Sequence, residues 1–287
     1  MRLAILGTGL MGSSASARLK ELGFHIVLWN RSIEKTEVIA RDLGVDIARS
    51  IVEAISSVDY ALAFLADDSA LLSVVSSIPR ADGLIFVNFS TVTPKASIMA
   101  SEFLSTRGVC YVEAPILGGP RIVREGKAII LVSGPSHCVG SIEGILKALA
   151  SDIIFISEDI GKASALKLAY NNMLITSIAS LAESIVLAEA YGLSLDIVKD
   201  VFSKTVFKDL VERYFDRLIS EEIPTGFNLY LAAKDMEYAS RAAFDKGIPL
   251  PLASAVEQLY MLASKAGLGD KDYTRIYLFM KRLGLKT

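Results

Sequence analysis

A short apolar run, Leu3-Ala-Ile-Leu6, leads straight into Gly7-Thr8-Gly9-Leu10-Met11-Gly12, and a helix-like segment follows. No other stretch of the chain constrains its fold as tightly. Gly-x-Gly-x-x-Gly spacing recurs by chance. Here, however, it follows a strand pattern and opens a helix pattern, the context a dinucleotide-binding turn requires. The first glycine permits the tight turn, the second lets the backbone approach a pyrophosphate, and the third lets helix and strand pack closely. The first helical turn then offers unpaired N–H groups and a positive dipole end to phosphate. A glycine-rich turn holding nothing is the competing reading, and the context disfavours it.

The first half of the chain alternates short apolar strands with helical patterns. Strands are predicted at Arg2–Leu6, His25–Trp29, Tyr60–Leu65, Gly83–Asn88, Cys110–Ala114, Ala128–Ser133 and Ile153–Ile156. Helices are predicted at Met11–Leu22 and Ile33–Leu43, with another opened by Pro94 at a favourable first position. This pattern predicts an α/β fold, a Rossmann-type doubly wound parallel sheet with helices on both faces. From Gly161 to Tyr191 the chain reads as one helix of roughly 30 residues, about 45 Å long. It is apolar on more than one face, so both faces are expected to be covered. Helical patterns continue at Ser194–Lys204, Val206–Ile219, Phe227–Lys246, Pro251–Ala266 and Tyr273–Leu283. The reading divides the chain into a nucleotide-binding domain, 1–160, and an all-α C-terminal domain, 161–287, linked by the long helix.

With 52% hydrophobic residues, the 287-residue chain can bury a large core and an extended interface. Its net charge of −2 and scattered basic residues speak against a nucleic-acid partner. No secretory pattern is evident. The most apolar long segment, Asn172–Gly192, is interrupted by Glu183 and Glu189, so no membrane span and a cytoplasmic location are expected. Cys110 lies in a strand-like run and reads as a buried small hydrophobe. Neither it nor Cys138 has a CxxC neighbour, so no metal site and no redox pair are expected. His25 and His137 fall outside any segment resembling an active-site loop. Proton transfer, often a histidine's task, therefore falls to another residue.

The end of the second strand selects the nucleotide, since an NAD-preferring site places Asp or Glu there. This chain has Asn30-Arg31-Ser32. Asn30 does not repel a 2′-phosphate, Arg31 offers it a planar fork, and Ser32 can donate to it or cap the next helix. The bland alternative is a surface turn with an incidental arginine. NADP is the expected cofactor, with NADPH preferred over NADH. Further on, Lys167 and Asn171 are four apart and share a helix face. A lysine among apolar neighbours is costly without a task or partner, and burial would lower its pKa toward a range useful for proton transfer. Asn171 offers both a donor and an acceptor. A snorkelling lysine is the alternative, and Lys162 reads as one.

Four blocks carry a resemblance that spans nearly the whole chain: Gly7–Gly12; Asn88-Phe-Ser-Thr91-Val-Thr-Pro94; Glu113-Ala-Pro-Ile-Leu117-Gly118-Gly119; and Gly161-Lys162 through Lys167 to Asn171-Asn172. A further block contains Lys234-Asp235. Together they resemble the β-hydroxyacid dehydrogenase family, which includes 3-hydroxyisobutyrate dehydrogenases and glyoxylate/succinic semialdehyde reductases. The resemblance implies a C-terminal domain like that of 6-phosphogluconate dehydrogenase and a homodimer or homotetramer. It also implies site roles. Lys167 would be the general acid/base, and Asn171 would orient substrate. Thr91 and the backbone near Leu65 and Ala66 would contact the cofactor. Lys234 would reach the nicotinamide end, and Asp235 would hold that wall of the substrate site.

The chain departs from the family pattern at Leu117, where the family carries a serine that contacts substrate. Gly118 and Gly119 can still present N–H groups to an anion. Arg121 either replaces the lost anchor or points to solvent. The expected activity is NADP-dependent interconversion of a small 3-hydroxyacid, or related hydroxy compound, with its aldehyde or ketone. An imine reductase-like enzyme is the alternative. That branch of the family tends to replace the catalytic lysine, whereas Lys167 is present. A non-catalytic NADP(H)-binding protein is the reading from another class.

Overall fold

A computed structural model describes residues 1–284. The last three residues of the predicted helical domain, 285–287, lie outside them. Two compact units divide at Leu168/Ala169.

The first unit is built from β1 (Arg2–Leu6), α1 (Leu10–Glu21), β2 (His25–Trp29), α2 (Ile33–Leu43), β3 (Asp46–Ile47), α3 (Ile51–Ile55), β4 (Tyr60–Ala63), α4 (Asp68–Ser76), β5 (Ile85–Asn88) and α5 (Pro94–Ser105). It continues with β6 (Cys110–Glu113), β7 (Ile116–Leu117), α6 (Pro120–Arg124), β8 (Ala128–Ser133), α7 (Ser136–Ser141), α8 (Glu143–Leu149) and β9 (Ala150–Ser157). The described residues hold one sheet, ordered β3-β2-β1-β4-β5-β6-β8-β7, with β9 also paired to β8. Strands β1 to β6 run parallel, as predicted. The sheet is not parallel throughout, because β8 runs antiparallel to β6 and β7. The hairpin-like step from β7 through the short α6 leaves no room for a crossover of the length a parallel return needs.

Side chains alternate across the sheet. Leu3, Ile5, Ile26 and Leu28 pack with Ala15 and Leu19 of α1. Ala4, Leu6, Val27 and Phe86 join Leu71, Val74 and Val75 of α4 and Leu104 of α5 in a second cluster. Both faces are covered, which is why the strands read as continuous apolar runs.

Helix α9 (Lys162–Ala190) starts in the first unit and continues in the second. Then follow α10 (Leu195–Ser203), α11 (Lys208–Ile219), α12 (Leu229–Phe244), α13 (Pro251–Ala263), a π-helical turn at Ser264–Leu268, a 3-10 turn at Tyr273–Arg275 and α14 (Ile276–Gly284). Ile175, Ile178, Ala182 and Ile185 of α9 pack with Val211, Phe215, Leu229, Met236, Tyr260 and Tyr277 in the core of this unit. Two expectations about α9 need correction. It is long and apolar enough, by length and composition alone, to cross a membrane, Glu183 and Glu189 notwithstanding. A core helix passes the same test. Nor are all its apolar faces covered within the chain, since Leu166, Tyr170, Met173 and Leu187 are exposed.

Candidate active site

Parallel strands that pair in register end level with one another. Leu6 is registered with Trp29 and with Ala63, Ala63 with Asn88, and Asn88 with Glu113. This row is the carboxyl edge of the sheet. The strand order reverses at β1, with β2 on one side and β4 on the other, and ligands of open α/β sheets bind in such a crevice. The predicted cofactor residues of the first unit all leave this edge: Gly7–Gly12 after β1, Asn30–Ser32 after β2, Leu65 and Ala66 after β4, and Thr91 after β5.

The three glycines are required for different reasons. Gly7 has φ +105°, and a Cβ there would lie 2.3 Å from the Phe64 carbonyl oxygen. A Cβ on Gly12 would lie 2.0 Å from the Gly7 carbonyl oxygen. These two are packed shut against backbone. Gly9 is the opposite, with nothing within 4 Å of a Cβ built there. It is the N-cap of α1, and no side chain closes that cap. The first-turn N–H groups of α1 thus lack a side-chain acceptor beside an open approach, an arrangement that fits a pyrophosphate. The buried Thr8 Oγ1 is turned to Thr36 Oγ1, 3.2 Å away. Leu10 is exposed and Met11 partly buried.

At the end of β2, Asn30 is half-buried, while Arg31 and Ser32 are exposed. Ser32 stands at the N-cap of α2, but its hydroxyl does not make the cap bond that sequence allowed. The loops after β4 and β5 are tied together. Leu65 N donates to Ser90 Oγ (2.7 Å), and Ser90 N donates to Asn88 Oδ1 (3.0 Å). Asn88 Nδ2 donates to the Tyr111 hydroxyl (2.9 Å), which lies 2.8 Å from Ser97 Oγ. Burial, reinforced by the charge of Glu113, pushes the Tyr111 phenol well above its ordinary range, so it serves as a neutral link. Thr93 caps α5 and is itself held by Asp68, its N–H and Oγ1 donating to the two carboxylate oxygens (2.8 and 2.7 Å). Thr91 therefore sits between two anchored residues.

Lys167 and Asn171 are both buried, at 8% and 3% exposure, whereas Lys162 is exposed as expected. Buried positions on this part of α9 recur as Ala163, Ser164, Lys167, Leu168 and Asn171, a stripe of period three to four. Within the helical unit, Asn171 Nδ2 donates to Asp235 Oδ2 at 2.6 Å. Lys234 Nζ stands 3.1 Å from the other oxygen, Oδ1, close enough for an ion pair but without hydrogen-bond geometry. Lys234 also lies over the Tyr238 ring, 4.8 Å from its centroid. A carboxylate only accepts, so Asp235 settles which way the Asn171 amide points: nitrogen toward Asp235, oxygen away.

Leu117 is half-buried in β7, and Gly118 has φ +146°. Arg121 is 89% exposed and ion-paired with Glu125 at 2.8 Å, which favours its solvent reading. His25 and His137 are exposed. The expectation for the cysteines was wrong. Cys110 and Cys138 form a disulfide that joins β6 to α7. They are 28 residues apart in sequence, and only the packing of α7 beside β6 brings them together. Cys110 is also half-buried rather than buried, and the imidazole of His137, the residue before Cys138, lies within 4.8 Å of the sulfurs. Sequence reasoning also missed the roles of Asn88, Ser90, Thr93 and Tyr111, because the partner of each lies on another strand or loop.

Comparison with known proteins shows the family and the fold. Residues 2–157 match the NAD binding domain of 6-phosphogluconate dehydrogenase, and residues 161–280 match the NAD-binding domain of NADP-dependent 3-hydroxyisobutyrate dehydrogenase. The chain is 26% identical over 282 residues to glyoxylate/succinic semialdehyde reductase 1 of Arabidopsis thaliana, covering 96% of this chain and 97% of that one. It shares its fold with 3-hydroxyisobutyrate dehydrogenase of Mycobacterium tuberculosis (TM-score 0.84, 22% identity, 98% and 99% covered). It also shares it with an imine reductase from Pseudomonas sp. (TM-score 0.66, 24% identity, 97% and 99% covered).

Proposed function

The chain belongs to the β-hydroxyacid dehydrogenase family of NAD(P)-dependent oxidoreductases, and we propose that it interconverts a small 3-hydroxyacid, or related hydroxy compound, and its aldehyde or ketone, with NADP preferred. The observation that carries this reading is a buried lysine one helical turn ahead of a buried, oriented amide. When bound, the nicotinamide supplies a hydride for carbonyl reduction and accepts one in alcohol oxidation. In reduction, Lys167 gives an ammonium proton to the carbonyl oxygen. In oxidation, neutral Lys167 takes the hydroxyl proton. Asn171 positions substrate, its Oδ1 left to accept because Asp235 holds its nitrogen. Gly7–Gly12 receive the pyrophosphate, and Leu65, Ala66 and Thr91 line the cofactor's path. Lys234 serves the nicotinamide end. The absence of a carboxylate among Asn30, Arg31 and Ser32 supports NADP, with Arg31 as the 2′-phosphate's partner.

Leu117 favours a second reading, since the half-buried leucine removes a polar anchor for a substrate carboxylate and suits a less polar imine. Lys167 weighs the other way. NADPH and NADH consumption against succinic semialdehyde, glyoxylate and a cyclic imine separates the two. Turnover of the carbonyl compounds, with a KM for NADPH about tenfold below that for NADH, is the expected result. Turnover of the imine alone would favour the second reading. Tight NADPH binding without turnover of any compound would favour a non-catalytic binder. The exposed apolar side chains of α9 support assembly as a homodimer or homotetramer, which light scattering tests.

A further inference from the structure

A 29-residue helix needs its starting phase fixed if a side chain six residues in is to point correctly. The start of α9 has no local capping side chain, because Gly161 precedes Lys162. Its donors are met from elsewhere in the first unit. Glu113, at the end of β6 and fully buried, accepts from Gly161 N (2.9 Å) and Ala163 N (3.2 Å) through Oε2, and from Ser164 Oγ (2.5 Å) through Oε1. Ser133, its registered partner on β8, adds a second acceptor for Ala163 N at 3.1 Å. Three donors thus converge on one carboxylate at the positive end of the helix, where a negative charge is most favourable. The approach is close on another side too, since a Cβ on Gly161 would lie 3.2 Å from Ile98 Cδ1.

The residues held are those that set the direction of Lys167. Ala163 is four positions and Ser164 three positions before it, so all three lie on one face of the helix, and all are buried. Glu113 itself stands in the cross-strand row from which the cofactor loops depart. We propose that Glu113 is a positioning residue that locks the phase of α9 and so fixes the place of the Lys167 ammonium relative to the carboxyl edge of the sheet. This rests on the reading of Lys167 as the proton donor and acceptor. It also gives the glutamate at this position a purpose, namely reach. An aspartate here would be one methylene shorter and would draw the carboxylate back from the helix start.

The test compares Glu113→Ala, Glu113→Asp and Glu113→Gln, assayed well below each variant's Tm and expressed per folded molecule, with Ser164→Ala as a milder probe should Glu113→Ala not fold. Glutamine keeps the reach, can accept from the two backbone N–H groups through its carbonyl, and can donate to Ser164. The expected order is a kcat loss of about thirtyfold for alanine, about tenfold for aspartate and no more than about threefold for glutamine and Ser164→Ala. NADPH Kd is expected to stay within about twofold of wild type in all of them. The pH profile of kcat should shift in the alanine and aspartate variants, as a merely structural role would not require. Wild-type kcat per folded molecule and an unmoved pH profile in Glu113→Ala, or in Glu113→Asp and Ser164→Ala where alanine does not fold, would overturn the proposal while Lys167→Ala is inactive. Should Lys167→Ala itself remain active, the reading of Lys167 fails first.

Discussion

At the carboxyl edge of the sheet the proposed cofactor site is mostly backbone: two glycines packed against carbonyl oxygens, a third left open, and a helix start without a side-chain cap. In the helical unit the proposed site is made of buried or largely buried side chains, Asn171, Asp235 and Lys234, each oriented by the next. The first kind of site is specified by atoms that must be absent. Its tolerance is therefore narrow and its signature local. The second is specified by partners, here 64 residues apart, and it can be retuned by exchanging one of them. On the proposed reading, a chain built this way can keep its cofactor while its substrate drifts.

Substitutions in the two regions should break in different ways. Gly12→Ala puts a methyl 2.0 Å from a backbone oxygen that cannot yield. It should weaken NADPH binding about a hundredfold, or roughly 3 kcal/mol, read by fluorescence titration. Asp235→Asn sets one amide against another and frees Asn171 to turn. It should lower kcat about thirtyfold while leaving NADPH affinity within about twofold, as steady-state kinetics and titration would show. A comparable loss of NADPH affinity would erase the contrast between the regions. Arg31→Ala should raise the KM for NADPH about tenfold and leave that for NADH alone. Equal effects on both would remove the 2′-phosphate from its role. Leu117→Ser is the smallest step: it should lower the KM of a carboxylate-bearing substrate about threefold.

Much of the first unit was legible because its strands are apolar runs buried on both faces and its punctuation is glycine and proline. Pro94 opens α5 and Gly7 turns the chain after β1, both as read from sequence. Helix α9 was legible from its length, but its partners were not, since apolarity on several faces does not say which face the chain itself covers. The antiparallel placement of β8 was hidden because pairing direction leaves no trace in a six-residue apolar strand. The disulfide and the Glu113 anchor were hidden for a shared reason. Each joins positions 28 to 51 residues apart, and only tertiary structure juxtaposes them. For Glu113 a signal did exist: a lone carboxylate at the end of the strand Cys-Tyr-Val-Glu, at a buried edge, needs donors from somewhere. At the substrate end, the roles of Lys234 and Asp235 were reached only through resemblance.

The separation of a backbone-built cofactor end from a proton-transferring lysine is tested most directly by Lys167→Ala, with NADPH binding and carbonyl reduction measured on the same preparation. Turnover reduced about a thousandfold, with NADPH Kd within about twofold of wild type, is the predicted result. Turnover within a few-fold of wild type would contradict it, and so would loss of NADPH binding in step with activity.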